Sequence, residues 1–148
     1  MNLEAKLTAD LKTAMKSKDQ AALRSIRAIK SAILLEKTSG SNEAFSEEKA
    51  IKMLQKLVKQ RKDSLEIYTK EGREDLAQTE REEIEIIQAY LPEQMSESEL
   101  QAEVKAIIAE TGASSMKDMG RVMGIASKRF AGRAEGKAIS AAVKSLLG

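Results

Sequence analysis

Apolar residues recur every three or four positions along this chain of 148 residues, which is the spacing of one face of an α-helix. Near the start of the chain, two such stripes predict a pair of helices. The first helix is expected to end near Ser17 and Lys18, Asp19 can cap the second, and a polar loop follows from Thr38 to Asn42. The apolar positions are Leu3, Leu7, Leu11 and Met15, then Ala22, Ile26, Ile29 and Ile33.

A second pair of helices is predicted between Ser46 and Pro92. Ser46 is a natural N-cap, two acidic residues follow it in the first turn, and Gly72 can end the third helix in the left-handed conformation. The fourth helix, roughly 74–91, should stop at Pro92, since the residue before a proline is pushed out of the α region. The two apolar seams are Ile51, Leu54, Val58, Leu65 and Tyr68, then Leu76, Ile84, Ile87 and Leu91.

Three shorter helices are predicted in the last third of the chain. Ser96 and Glu99 have the spacing of a capping box at the start of the fifth helix, and Gly112 can close it. The sixth helix is expected near 115–130, and the loop 132–136 precedes the seventh. Their apolar positions are Leu100, Val104, Ile107 and Ile108, then a Met stripe interpreted as core (Met116, Met119, Met123), then Ile139, Val143, Leu146 and Leu147.

The pattern contains no strand signal, because it shows neither alternation of period two nor an Asn-Gly or Asp-Gly hairpin turn. The sequence therefore predicts an all-α fold in two parts. Residues 1–92 are expected to form an N-terminal helical hairpin bundle of about four helices. Residues 96–148 are expected to form a small three-helix tail domain.

The amino-acid composition excludes several kinds of catalytic and metal site. The chain has no cysteine and no histidine, which excludes disulfides, a thiolate nucleophile, a Cys-based zinc site and a Ser-His-Asp triad. We therefore predict no catalytic residues, no metal site and no cofactor. Since no secretory signal or membrane span is recognisable, the expectation is a cytoplasmic protein without a membrane partner.

Charge is distributed unevenly along the chain. Residues 71–112 carry twelve acids and three bases, whereas residues 113–148 carry seven bases and two acids. A basic tail after an acidic middle suggests an anionic partner for the tail. Two solvated faces that merely differ in charge would explain the same counts.

Charged residues also interrupt the seams of the third and fourth helices. A hairpin centred on Gly72 pairs residues whose numbers sum to about 144, which places Arg61 opposite Glu83 with Glu80 one turn away. A carboxylate pair could serve acid–base chemistry, but no nucleophile or metal partner accompanies it. We therefore interpret Arg61, Glu80 and Glu83 as a partly buried ion-pair network that fixes the register.

The segment 117–124 combines bases with two glycines inside a predicted helix. Glycine there costs about 0.5–1 kcal/mol relative to alanine, so close approach of another helix or of a phosphodiester backbone is the expected reason. Because the chain has few aromatics, base stacking cannot be the main mode of binding. The candidate phosphate-binding residues are Lys117, Arg121, Lys128, Arg133, Lys137 and Lys144, with Gly120, Gly132 and Gly136.

Several of these segments together resemble the YqeY family over nearly the whole chain. In the first part they are KQRKDS (59–64), GREDL (72–76), Glu80, Glu83-Ile84 and YLP (90–92). In the tail, KDMGRVMG (117–124), GRAEGK (132–137) and Val143-Lys144 resemble the part that this family shares with the C-terminal tail of GatB, a subunit of the tRNA-dependent amidotransferase.

The resemblance implies an all-helical protein with a role close to tRNA, and a similar module serves tRNA binding in some glutaminyl-tRNA synthetases. The leading hypothesis is a non-catalytic tRNA-binding accessory module associated with tRNA-dependent amidation or with glutaminyl-tRNA metabolism. The alternative is a protein-interaction module that docks on an aminoacyl-tRNA synthetase or amidotransferase through its acidic fourth and fifth helices. A carbon–nitrogen ligase that uses glutamine as amide donor ranks last, because it would rest on fold-level analogy alone.

Overall fold

A computed structural model describes residues 2–39 and 44–148, and all regular structure in these ranges is helical. The all-α prediction is therefore confirmed for them. The helices are α1 (Leu3–Ser17), α2 (Gln20–Lys37), α3 (Glu47–Lys70), α4 (Glu74–Gln88), α5 (Glu97–Thr111), α6 (Met119–Arg129) and α7 (Gly136–Leu147). A 3-10 turn, Met116–Asp118, lies directly before α6.

Most helix ends follow the capping signals in the sequence. The side chains of Asp19, Ser46 and Ser96 each accept a hydrogen bond from the backbone N–H three residues later, at 3.0–3.2 Å. Gly72 has a φ of +69° after the end of α3, and Gly112 has +71° after α5. These ends were predictable because each depends on groups within one turn of the chain.

Two predicted boundaries are wrong, and a third lies partly outside the described residues. Helix α4 ends at Gln88 and not near 91, because the N–H groups of Tyr90 and Leu91 bond carbonyls only three residues back and turn the chain before Pro92. The predicted sixth helix is divided into the 3-10 turn and α6. Positions 40–42 of the predicted loop lie outside the described residues.

The chain folds into two compact units, Met1–Leu91 and Pro92–Gly148. In the first unit, α3 packs against α4, and α2 packs against α1, α3 and α4. Tyr90 is buried with the core and donates its hydroxyl to Asp10; burial, with help from that carboxylate, raises the pKa of Tyr90. The core of this unit includes Leu7, Ile26, Ile29, Leu54, Val58 and Ile87.

The first predicted stripe is wrong at one position. Met15 is 57% exposed, whereas Ala14 is buried. Strict i, i+4 spacing drifts around a helix of 3.6 residues per turn, so by the fourth member the stripe has left the buried face. Ala14 therefore takes the core position that the stripe assigned to Met15.

In the second unit, α5, α6 and α7 each pack against the other two. The predicted Met stripe is only partly core. Met116 is 45% exposed, and Met119 and Met123 are partly buried at the edge of a core that includes Val104, Ile107, Val122, Ala126, Phe130, Ile139 and Val143. The buried face of α6 is centred on Val122 and Ala126, and at 100° per residue Met119 and Met123 lie to one side of it, whereas Met116 precedes α6 in the 3-10 turn.

Candidate nucleic-acid interface

The outer face of α6 carries the predicted glycines and cations. At 100° per residue, Gly124 lies on the side of α6 opposite Val122 and Ala126, both fully buried. Arg121 and Lys128, which are seven residues apart, share the exposed side with Gly124. The solvent-exposed side of α6 therefore carries a glycine with two cations beside it, on the side of the helix opposite the core.

Nothing within the second unit explains these glycines. Apart from its chain neighbours and the backbone of its own helix, a Cβ atom built at Gly120 or Gly124 would meet no described atom within 4 Å. The suggestion that a neighbouring helix of this unit needs the space is therefore wrong for both residues. An open helix surface of this kind lets another molecule approach the backbone closely.

Four lysines of the predicted set are exposed and enter no ion pair with a described residue. They are Lys117 in the 3-10 turn, Lys128 in α6, and Lys137 and Lys144 in α7. Lys137 and Lys144 are seven residues apart and so share one face of their helix. Because their charges are not compensated within the unit, these ammonium groups are available to an anionic ligand.

The arginines of the unit are engaged to different degrees. Arg129 makes two hydrogen bonds with the carboxylate of Glu110, the shorter at 2.8 Å, and this contact holds the pKa of Glu110 below its usual value. Arg121 Nη2 lies 3.4 Å from Asp118 Oδ1. Asp118 also accepts the Ser114 N–H at 3.0 Å, which lowers its carboxyl pKa. Arg129 is thus the more closely paired of the two arginines, since its carboxylate lies at 2.8 Å and that of Arg121 at 3.4 Å, while the two side chains are 45% and 54% exposed.

The loop before α7 differs from its predicted role. Gly132 is buried with a φ of +79°, so it is a glycine because the turn requires the left-handed region. It does not offer an exposed surface for a ligand, in contrast to Gly136, the first residue of α7, which is exposed. Arg133 is partly exposed and contacts Glu93 in the segment before α5 and Glu99 in the first turn of α5.

Exposed cations and a buried aromatic residue characterise the second unit. The nine residues predicted to bind phosphate lie in one unit, on α6, α7 and the turns before them. The one aromatic residue of 92–148, Phe130, is only 3% exposed. Lysine and arginine can therefore contact a charged backbone here, while base stacking has no platform.

Of the predicted ion-pair network, the structure confirms the pair of Arg61 and Glu83 in the first unit and not the participation of Glu80. Arg61 Nε donates to Glu83 Oε1 at 3.2 Å and Nη1 to the Leu57 carbonyl at 3.0 Å, and the two charged side chains are 17% and 14% exposed. Arg24 adds a second cation 3.7 Å from Glu83. Glu80 forms no ion pair within the described ranges, and burial, reinforced by Glu83, raises the pKa of its carboxyl.

Two further features of residues 2–39 and 44–148 bear on other kinds of site. No group of three or more acidic side chains in these residues is placed to hold a metal ion. No helix among them is long and apolar enough to cross a bilayer.

Known proteins resemble this chain over most of its length. A family model described as Yqey-like protein matches residues 4–147. A protein of Pyrenophora tritici-repentis named Altered inheritance of mitochondria protein 41, mitochondrial, is 31% identical over 147 residues, which is 97% of this chain and 80% of the relative. The Lachancea thermotolerans protein of the same name is 37% identical over 72% of this chain. That alignment spans 58% of the Lachancea relative, and so less than two thirds of its length.

The expected cytoplasmic location is corrected by this comparison. Both relatives carry the word mitochondrial in their names. The expectation rested on the lack of a recognisable secretory signal and membrane span, and neither feature distinguishes one aqueous compartment from another.

Proposed function

Because the chain belongs to the Yqey-like protein family, we propose that it is a non-catalytic accessory protein that binds tRNA through its second unit. Its contacts are the exposed cations of α6, α7 and the 3-10 turn, except Arg129, which is bonded to Glu110. We name this set the basic face, and it consists of Lys117, Arg121, Lys128, Lys137 and Lys144.

The observation that carries the proposal is the combination of free lysines with an open helix surface. Four lysines of the basic face have no ion-pair partner among the residues described, and Gly120 and Gly124 leave room above α6. A ligand that combines regularly spaced negative charge with close approach to a helix backbone fits this surface. A sugar–phosphate backbone has both properties.

RNA shape is the proposed basis of recognition. The unit offers no exposed aromatic side chain on which an unpaired base could stack, since Phe130 is buried. Binding would then depend on phosphate positions and on ribose hydroxyl groups along a folded helix. This is the reason to propose a structured RNA such as tRNA over a single strand.

The link to amidation is supported by the resemblance of the tail to that of GatB. It extends to binding and not to the amidation reaction, which requires an ATP-using site and a source of ammonia. The location that the relatives' names give is mitochondrial, and it replaces the cytoplasm in this proposal.

A second candidate function is docking on a synthetase or amidotransferase. It is favoured by the acidic first turns of α4 and α5, where Glu74, Asp75, Glu97 and Glu99 are exposed. In that case the partner would bring a basic surface, and tRNA would bind the isolated protein no better than any other polyanion.

Charge reversal tests the tRNA proposal. The double variant Lys128→Glu, Lys137→Glu removes two free cations, and we expect tRNA affinity at about 0.1 M salt to fall by about thirtyfold or more. The control Lys56→Glu, Lys59→Glu changes the net charge equally on exposed residues of α3 and should have a much smaller effect. Equal losses in the two variants would show non-specific attraction and contradict the proposal.

A further inference from the structure

The segment before α5 is attached to the loop before α7. The Gln94 side-chain Nε2 donates to two carbonyls, that of Gly132 at 2.6 Å and that of Pro92 at 2.8 Å. The Met95 N–H donates to the Arg133 carbonyl at 2.8 Å. Although neither segment is helical, these bonds fix the two backbones against each other.

Arg133 completes this attachment with its side chain. Its Nε donates to the carbonyl of Glu93 at 3.0 Å. Its Nη2 lies 3.9 Å from the Glu99 carboxylate, which is beyond hydrogen-bond distance. The guanidinium is therefore held through Nε by a neutral backbone group, and its terminal nitrogens make no hydrogen bond within the described residues.

Arg133 differs in this respect from the other arginines of the unit. Arg129 directs its terminal nitrogens to Glu110, and Arg121 directs one toward Asp118. A guanidinium fixed through Nε keeps its charge and two parallel donors for a phosphate. Its orientation is also set before any ligand arrives, which reduces the entropy lost on binding.

We infer that Gln94 is a positioning residue for Arg133, and that together they add one oriented arginine to the basic face. The inference rests on the proposed function, since it concerns the binding of the same phosphate backbone. Gln94 itself would touch no ligand. It acts by holding Gly132 and the segment 92–95 so that the Glu93 carbonyl meets Arg133 Nε.

The test begins with Gln94→Ala in the full chain. We expect tRNA affinity at about 0.1 M salt to fall by about three- to tenfold, and the salt slope to decrease by as much as about one, as for the loss of one phosphate contact. Arg133→Ala should show the same loss, and the double variant should be no weaker than Arg133→Ala alone. Additive losses would mean that Gln94 does not act through Arg133.

A spectroscopic measurement on the free protein separates this inference from the proposed function. In nitrogen-15 NMR, the Arg133 Nε–H should exchange slowly in the parent and rapidly in Gln94→Ala. The control Gln101→Ala, a half-exposed glutamine of α5 without a hydrogen bond among the described residues, should leave it unchanged. Slow exchange in Gln94→Ala would overturn the inference, whatever the RNA result.

Inorganic polyphosphate serves as a second ligand without bases or ribose. If the parent binds polyphosphate with the same dependence on Gln94 but does not prefer tRNA, only the proposed function fails. If the parent binds neither polyanion, both the function and the role of Gln94 are wrong.

Discussion

Removing the Arg61 side chain should destabilise the first unit, and the burial of its ion pair with Glu83 determines by how much. Breaking a fully buried pair costs about 3–5 kcal/mol, because the remaining charge is left without a partner. Here Arg61 and Glu83 are 17% and 14% exposed, and Arg24 lies 3.7 Å from the same carboxylate and can compensate part of the loss. For Arg61→Ala we therefore expect about 2 kcal/mol less unfolding free energy.

Urea unfolding followed by far-UV circular dichroism at neutral pH measures this loss. The m-value should be unchanged, so that the midpoint shift reports stability alone. Lys70→Ala is the matched control, because Lys70 and Glu66 form an ion pair at 3.1 Å with both side chains mostly exposed; we expect a change of no more than about 0.5 kcal/mol.

A double variant tests the compensation by Arg24. Once Arg24 and Arg61 are both alanine, Glu83 has lost both arginines that contact it, so the combined loss should exceed the sum of the single losses. The reasoning is refuted if Arg61→Ala costs no more than Lys70→Ala.

Three other outcomes follow from the structure. Burial and Glu83 raise the pKa of Glu80, so the folded state binds the carboxyl proton of Glu80 more tightly than the unfolded state does. This proton therefore stabilises the fold at low pH, and the stabilisation is lost as pH rises through the raised pKa. Glu80→Gln should remove this pH dependence from urea midpoints and be at least as stable as the parent at neutral pH. Gly124→Ala should raise the free energy of unfolding by about 0.5–1 kcal/mol in urea titrations, since its Cβ meets no described atom within 4 Å, and should still weaken tRNA binding in a filter assay. The pure protein should neither hydrolyse ATP nor release ammonia from glutamine in coupled assays; turnover that a point variant abolishes would contradict the non-catalytic assignment.

Local signals in the sequence were enough to predict most of the helices. Ser46, Gly72, Ser96 and Gly112 mark helix ends because the hydrogen bonds that fix an end lie within one turn. The pairing of Arg61 with Glu83 could also be predicted, since a short turn at Gly72 determines which residues of two antiparallel helices meet.

The sequence could not predict in the same way which cations of the second unit have a bonding partner and which are free. Arg129 and Glu110 are nineteen residues apart, and Arg133 meets the Glu93 carbonyl forty residues away. Both contacts depend on how loops and helices of the second unit pack, and no periodicity encodes them. For the same reason Gly132 could not be recognised as a buried turn glycine, and Gln94 carried no signal at all.

Filter binding of tRNA and of duplex DNA with the same number of phosphates, over a series of salt concentrations, tests most directly whether the basic face binds tRNA. With four to six phosphate contacts, the logarithm of tRNA affinity should fall with the logarithm of salt concentration with a slope of about three to five. At moderate salt, tRNA should bind at least about tenfold more tightly than the duplex, because shape adds to charge. Equal affinity for both nucleic acids, or no binding of tRNA, would contradict the proposal and favour docking on a protein partner.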